Sequence, residues 1–156
     1  MRAKFPVTVH LLFFRENQVL LLRRFNTGFE DGNYSVPAGH LDGNETVRMA
    51  AAREAFEETG VRIDARNITF ATVMHRKSDD TLLPLSGTGA GTGERVDFFV
   101  RIQVWEGEPF NVEPEKCDEL RWCDMAALPE NTIPYVRKAI GNYLEGILFD
   151  EFGWES

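Results

Sequence analysis

Apolar and polar positions divide the chain into short β-rich runs and two helical stretches. From Pro6 to Phe14 the residues are apolar and β-rich, Asn17-Gln18 reads as a turn, and Val19 to Leu22 resumes the apolar run. This pattern predicts a hairpin. Phe25 to Asn33, FNTGFEDGN, is a loop by composition. A short strand is expected over Tyr34 to Val36, after which Pro37 and Gly39 force a turn. Further strands are predicted at Ile68 to Met74, Val96 to Trp105 and Glu119 to Cys123. Near the end, Ile133, Val136, Ile140, Leu144 and Ile147 step by three and four, which predicts a helix from about Ile133 to Phe149.

The other helix is predicted from about Thr46 to Thr59. Its run MAAAREAFEE is rich in strong helix formers. Asn44 is expected as its N-cap, Glu45 suits the positive end of the helix dipole, and Gly60 is placed to end it in the left-handed C′ position. On such a helix Glu54, Glu57 and Glu58 lie at i, i+3 and i+4 and share one face, because each residue turns the helix by roughly 100°. Met49, Ala52 and Phe56 fall on the opposite side and are expected to pack into the core. Between Ser78 and Glu94 runs SDDTLLPLSGTGAGTGE, glycine-rich from Gly87 to Gly93, which is read as a flap.

Composition narrows the picture. With 156 residues, 43% hydrophobic and 27% charged, the chain suits one globular domain over residues 1–156. Its net charge is −8. That argues against nucleic acid as the main partner, since backbone binding needs clustered Lys and Arg. A small phosphorylated substrate remains compatible if divalent cations lie between it and the acidic site. The apolar stretch at the start is too short to span a bilayer, so no membrane role is expected. Cys117 and Cys123 do not form a disulfide framework, and a reduced, cytoplasmic setting follows.

Three carboxylates on one rigid helix face, beside a Pro-Ala-Gly turn, have two readings. One is a solvated acidic face relieved by Arg48 and Arg53. The other is a site for Mg²⁺ or Mn²⁺, hard cations that take oxygen ligands from carboxylates, water and phosphates. The wider spacing bears on the choice. Gly39 is followed by five residues and Glu45, then by seven residues and Arg53-Glu54-Ala55-Phe56-Glu57-Glu58-Thr59-Gly60-Val61. This segment resembles the Nudix box at every defined position, with Ala55 standing where a larger aliphatic residue is usual.

The resemblance implies an α/β fold, an α/β/α sandwich with a mixed central sheet. It implies a hydrolase of nucleoside diphosphates linked to another group, acting through metal-activated water. The alternative is a catalytically inactive Nudix-like module that senses a nucleotide. Carried over by position, Glu54, Glu57 and Glu58 bind the cations with Gly39. Arg53 orients the helix carboxylates, Glu45 braces Arg53, and Gly60 closes the helix. Glu57 is the first choice for general base, with Glu94, Glu115 and Glu119 as other candidates.

Substrate-binding candidates are Arg23, Arg24, Ser35, His40, Asp118 and Glu119. One of the two arginines is expected to reach phosphates and the other to be a solvated strand end. Asp118 and Glu119 lie near where related enzymes read a purine, or are ordinary surface charge at a strand entry. Ser35 stands where some members use Asn for an oxidised purine. The region Met74 to Lys77 lacks the proline seen in ADP-ribose hydrolases. His10 is expected to be structural and His75 not to be catalytic. Trp105, Trp122 and Trp154 are read as core or interface residues. The tail ILFDEFGWES is expected to pack on the domain or on a second subunit of a homodimer.

Overall fold

The computed structural model describes residues 2–78 and 93–154. The expected flap falls largely on residues 79–92, outside the described residues. Strands β1 (Val7–Arg15) and β2 (Gln18–Arg24) form the predicted hairpin, with Phe14 opposite Val19 and Arg15 opposite Gln18. Its turn is Glu16-Asn17, one residue earlier than expected, and Glu16 takes a positive φ of 56°. Then follow β3 (Tyr34–Ser35), β4 (Ala38–His40), helix α1 (Val47–Thr59), a 3₁₀ turn at Ala65–Asn67, β5 (Thr69–Lys77), β6 (Glu94–Ile102), β7 (Cys117–Asp124), α2 (Pro134–Glu145) and β8 (Phe149–Phe152).

The sheet is mixed, as expected. Its main path runs β3-β2-β1-β6-β5-β8, with β4 pairing β1 and β7 pairing β2. β1 runs parallel to β6 and antiparallel to β4. Strand alternation splits β1 between two cores. Val9, Leu11 and Phe13 join Ala50, Ala51 and Ala55 of α1 on one face. Leu12 and Phe14 join Val136, Ala139 and Ile140 of α2 on the other. A helix thus covers each face, which is the α/β/α arrangement.

Three expectations about the helices are corrected. Thr46, not Asn44, caps α1: its Oγ1 accepts the Met49 N–H at 3.1 Å, while Asn44 sits in a left-handed turn with φ 56°. Met49 and Phe56 do not enter the core, being 51% and 48% exposed. α1 approaches the sheet through Ala50, Ala51 and Ala55, small residues that let the backbone come close, and Glu54 is buried on that same side. Finally, α2 ends at Gly146 (φ 73°), and the chain turns back so that Phe149–Phe152 becomes a strand parallel to β5. The apolar periodicity continued past the helix through Ile147, which lies in the turn between α2 and β8 and whose carbonyl accepts the Thr72 hydroxyl.

His10 is structural, as expected. Its Nε2 lies 3.0 Å from Asp97 Oδ1, and Arg76 Nε donates to Asp97 Oδ2 at 2.6 Å. All three side chains are buried and join β1, β6 and β5. The Arg76 guanidinium lies 3.7 Å from the Tyr135 ring centre, tying the network to α2. Trp105 and Trp122 stack at 6.0 Å beside the α1-side core.

Candidate active site

The site begins where β4 passes α1. Gly39 lies opposite Val9 of β1, which fixes its backbone. A Cβ on Gly39 would overlap the Glu54 carboxylate, so glycine leaves that side chain in the place it occupies here. One residue earlier, the Ala38 N–H donates to Glu58 Oε2 at 3.0 Å. The Pro-Ala-Gly turn and the acidic helix are therefore one unit, joined across 20 residues of sequence.

Arg53 organises the carboxylates. Its Nη2 donates to Glu45 Oε1 at 2.8 Å and its Nε to Glu45 Oε2 at 3.1 Å, a two-point pairing. Its Nη1 reaches Glu54 Oε1 at 2.8 Å and Glu57 Oε2 at 3.4 Å. Nη2 also donates to the His40 carbonyl at 3.1 Å. Glu45 in turn accepts the Asp42 N–H at 2.9 Å. The pairing with Glu45, then with Glu54, raises the Arg53 pKa above its ordinary value. Hydrogen bonding from Arg53 lowers Glu45 below the usual carboxylate range.

The other two carboxyls move upward. Burial raises Glu54, opposed in part by Arg53. Burial, followed by the charge of Glu54, pushes Glu58 up to about 8, against the Ala38 N–H. Two partly desolvated carboxylates crowded on one helix are held at a cost that a divalent cation would reverse. Their donors, carboxylate oxygens, suit Mg²⁺ or Mn²⁺. Among the described residues no three acidic, His or Cys side chains are gathered closely enough to hold an ion alone. Glu57 is half exposed and leans toward Arg53.

Glu58 faces a cleft of about 660 Å³. Leu22, Val36 and Leu120 make its wall apolar, and Arg24, His40 and Lys116 bring cationic or titratable groups to it. Arg24 and His40 are thus brought together on the wall of the cleft that Glu58 faces. The Arg24 side chain is steered by the loop after β2, donating to the Phe29 carbonyl at 2.7 Å and to Thr27 Oγ1 at 3.0 Å. Neighbouring Arg23 points elsewhere, because alternation along β2 turns it away. It pairs with Asp118 at 2.7 Å and reaches Glu119 at 3.5 Å, so these three candidates come together outside the main cleft. Asp118 and Glu119 border a smaller hollow beside Trp122. Ser35 is buried, with its hydroxyl 3.4 Å from the Val36 carbonyl, and is not on the cleft wall.

Asn111, Glu113 and Lys116 line the cleft but carried no signal in the sequence. They belong to an irregular segment without periodicity, and only tertiary contacts bring it to α1. The Phe110 N–H donates to the Thr59 carbonyl at 3.0 Å, and the Phe110 ring covers Gly60. Gly60 has φ 75°, and its N–H donates to the Phe56 carbonyl, so it ends α1 as expected.

Comparison with known proteins agrees with this geometry. A sequence profile described as NUDIX domain matches residues 4–143. The chain is 24% identical over 146 residues to the RNA pyrophosphohydrolase of Wolbachia sp. subsp. Brugia malayi, covering 90% of this chain and 87% of that one. It is 29% identical over 113 residues to the RNA pyrophosphohydrolase of Rhizobium meliloti, covering 68% and 67%. Its fold is similar to a MutT NUDIX hydrolase from Burkholderia pseudomallei, with TM-score 0.73, 24% identity, and coverage of 89% of this chain and 98% of that one. A NUDIX hydrolase from Nitrosomonas europaea superposes equally, with TM-score 0.73, 22% identity and coverage of 94% and 93%.

Proposed function

We propose, from the premise that this chain belongs to the Nudix family and is a pyrophosphohydrolase, that it hydrolyses a phosphoanhydride in a small nucleotide derivative with Mg²⁺ or Mn²⁺. The observation that carries the reading is the joint packing of Gly39, Ala38, Glu54 and Glu58 at the head of the cleft. Glu54, Glu57 and Glu58, with the Gly39 carbonyl, would hold the cation, whose remaining ligands are water and substrate phosphates. When bound, it polarises a phosphoryl oxygen and lowers the pKa of a coordinated water. Arg53 orients Glu54 and Glu57, and Glu45 fixes Arg53. Arg24 and Lys116 are the cations on the cleft wall that can meet substrate phosphates.

The reading takes the chain as one functional domain in a reducing, cytoplasmic setting. A homodimer through the apolar surface of Leu144, Leu148 and Phe149 extends it. A second substrate, the 5′ end of an RNA, is favoured by the names of the curated relatives. The net charge of −8 favours the small nucleotide.

The test is product analysis with Mg²⁺ or Mn²⁺ over a panel. It holds nucleoside triphosphates, oxidised dGTP, ADP-ribose, nucleotide sugars, dinucleotides and a 5′-triphosphorylated RNA. Hydrolysis of one class, abolished by EDTA and by Glu57→Gln, is the expected result. Turnover unchanged by EDTA or by Glu57→Gln would remove the cation role assigned to the box.

A further inference from the structure

The loop between β2 and β3 is built around the side chain of Arg24. Backbone bonds close it at that residue: the Arg24 N–H donates to the Asn33 carbonyl at 2.9 Å, and the Arg24 carbonyl accepts the Gly32 N–H at 2.7 Å. Inside the closure Gly28 takes φ 85°, a conformation that glycine adopts at no steric cost. The Asp31 carboxylate gathers the loop. Its Oδ1 accepts the Thr27 N–H at 3.0 Å and the Thr27 hydroxyl at 2.6 Å, and its Oδ2 accepts the Gly28 N–H at 2.9 Å. The hydroxyl, then the two backbone N–H groups, hold the Asp31 carboxyl below its ordinary range, so it is charged at neutral pH.

A hydroxyl has one proton to give and two lone pairs to receive others. Thr27 Oγ1 gives its proton to Asp31 across the shorter contact, 2.6 Å against 3.0 Å to the Phe29 carbonyl, and keeps its lone pairs for other donors. Arg24 Nη2 is one such donor, at 3.0 Å, while Arg24 Nε donates to the Phe29 carbonyl at 2.7 Å. These two bonds occupy one edge of the guanidinium. A guanidinium carries five N–H groups, so the edge formed by Nη1 and Nη2 is left over. That edge has no hydrogen-bonded partner among the described residues. Arg24 and Thr27 both line the cleft that Glu58 faces, and the Arg24 charge is felt by the Glu58 carboxyl. A planar edge with two donors matches two oxygens of a phosphate.

We propose that Asp31 is a positioning residue of this cleft, fixing through the Thr27 hydroxyl the edge that Arg24 offers to a substrate phosphate, an assignment that rests on the hydrolase reading above. Asp31 does not line the cleft and acts only through Thr27. Without its carboxylate, the Thr27 proton turns to the Phe29 carbonyl, which already receives Arg24 Nε. The guanidinium is then held less firmly, and the phosphate loses a pre-set partner. The carboxylates of α1 lie outside this chain of bonds, so cation binding is untouched.

Steady-state kinetics, on whichever panel member the wild type hydrolyses, compare wild type, Asp31→Asn, Thr27→Val, Thr27→Ser, Arg24→Ala and the double variant of Arg24→Ala with Asp31→Asn. Asp31→Asn and Thr27→Val are each expected to raise KM roughly tenfold with kcat little changed, the size of one hydrogen bond to a charged group. Thr27→Ser, which keeps the hydroxyl, should recover most of the loss seen in Thr27→Val. Arg24→Ala should raise KM further, and Asp31→Asn should add nothing in that background, because both act through one guanidinium. Wild-type KM in Asp31→Asn overturns the assignment. So does an equal KM penalty with and without Arg24, which would make Asp31 a support of the loop alone. A wild type that hydrolyses no panel member overturns the hydrolase reading instead. Calorimetric binding of a nucleoside triphosphate with Mg²⁺ then carries the same comparison of variants, with Kd in place of KM.

Discussion

At the end of α1, the Glu58 carboxyl is pushed up to about 8 by burial and by Glu54, from an ordinary 4.5. In the metal-free protein the folded state thus keeps a proton that the unfolded chain releases. Stability from this group is full below about 4.5 and is lost as pH rises through about 8. Urea denaturation without metal should show stability falling across that window. Glu58→Gln should flatten the fall without removing it, since Glu54 is raised in the same direction. A curve that rises from pH 5 to 8 would contradict the burial of this carboxyl. Gly39 shows the same residue-scale logic in reverse: it is needed for what it lacks, because any Cβ would displace Glu54.

At the scale of elements, three strands meet at Asp97. Burial alone would raise its carboxyl, but His10 and Arg76 outweigh burial and hold it at about 2. Its contribution to stability is present above its ordinary value of 3.8 and is lost as pH falls through about 2. Asp97→Ala leaves the buried Arg76 charge unpaired, and such a loss costs roughly 3–5 kcal/mol. Equilibrium denaturation should read that loss, and a cost below about 1 kcal/mol, the range of exposed pairs, would show the network to be dispensable. The elements were unevenly legible from the chain. α1 was predicted almost to the residue, because strong helix formers end at Gly60. α2 was drawn too long, because Ile147, in the turn before β8, continues its apolar spacing. The inward face of α1 was misread because its packing uses alanines, which carry little hydrophobic signal, while Met49 and Phe56 stay outside.

For the whole molecule, the proposed cation role of the acid-rich site would make cation binding and folding one equilibrium. If Mg²⁺ binds only the folded chain, a concentration a hundred times its Kd adds about 2.7 kcal/mol of stability. Thermal melting should rise by roughly 2–4 °C for each kcal/mol in a chain of this size. The rise should be larger at pH 8 than at pH 5, because protons on Glu54 and Glu58 compete with the cation. A melting temperature indifferent to Mg²⁺ and EDTA at both pH values would separate these carboxylates from cation binding.

The sequence by itself determined the box, the helix that carries it, the flanking hairpin and the family resemblance. These are local matters of spacing, propensity and turn chemistry, written within 23 consecutive residues from Gly39 to Val61 and the hairpin before them. Only the tertiary structure decided which arginine faces the cleft, since Arg23 and Arg24 are adjacent in the chain and differ only in the face of β2 they occupy. It alone removed Ser35 from the cleft wall, drew Asp118 and Glu119 to Arg23, and brought the segment of Asn111, Glu113 and Lys116 to the cleft that Glu58 faces. Those relations depend on strand pairing and on a loop docked by backbone hydrogen bonds, interactions that any side chain can accompany and that leave no pattern in the chain.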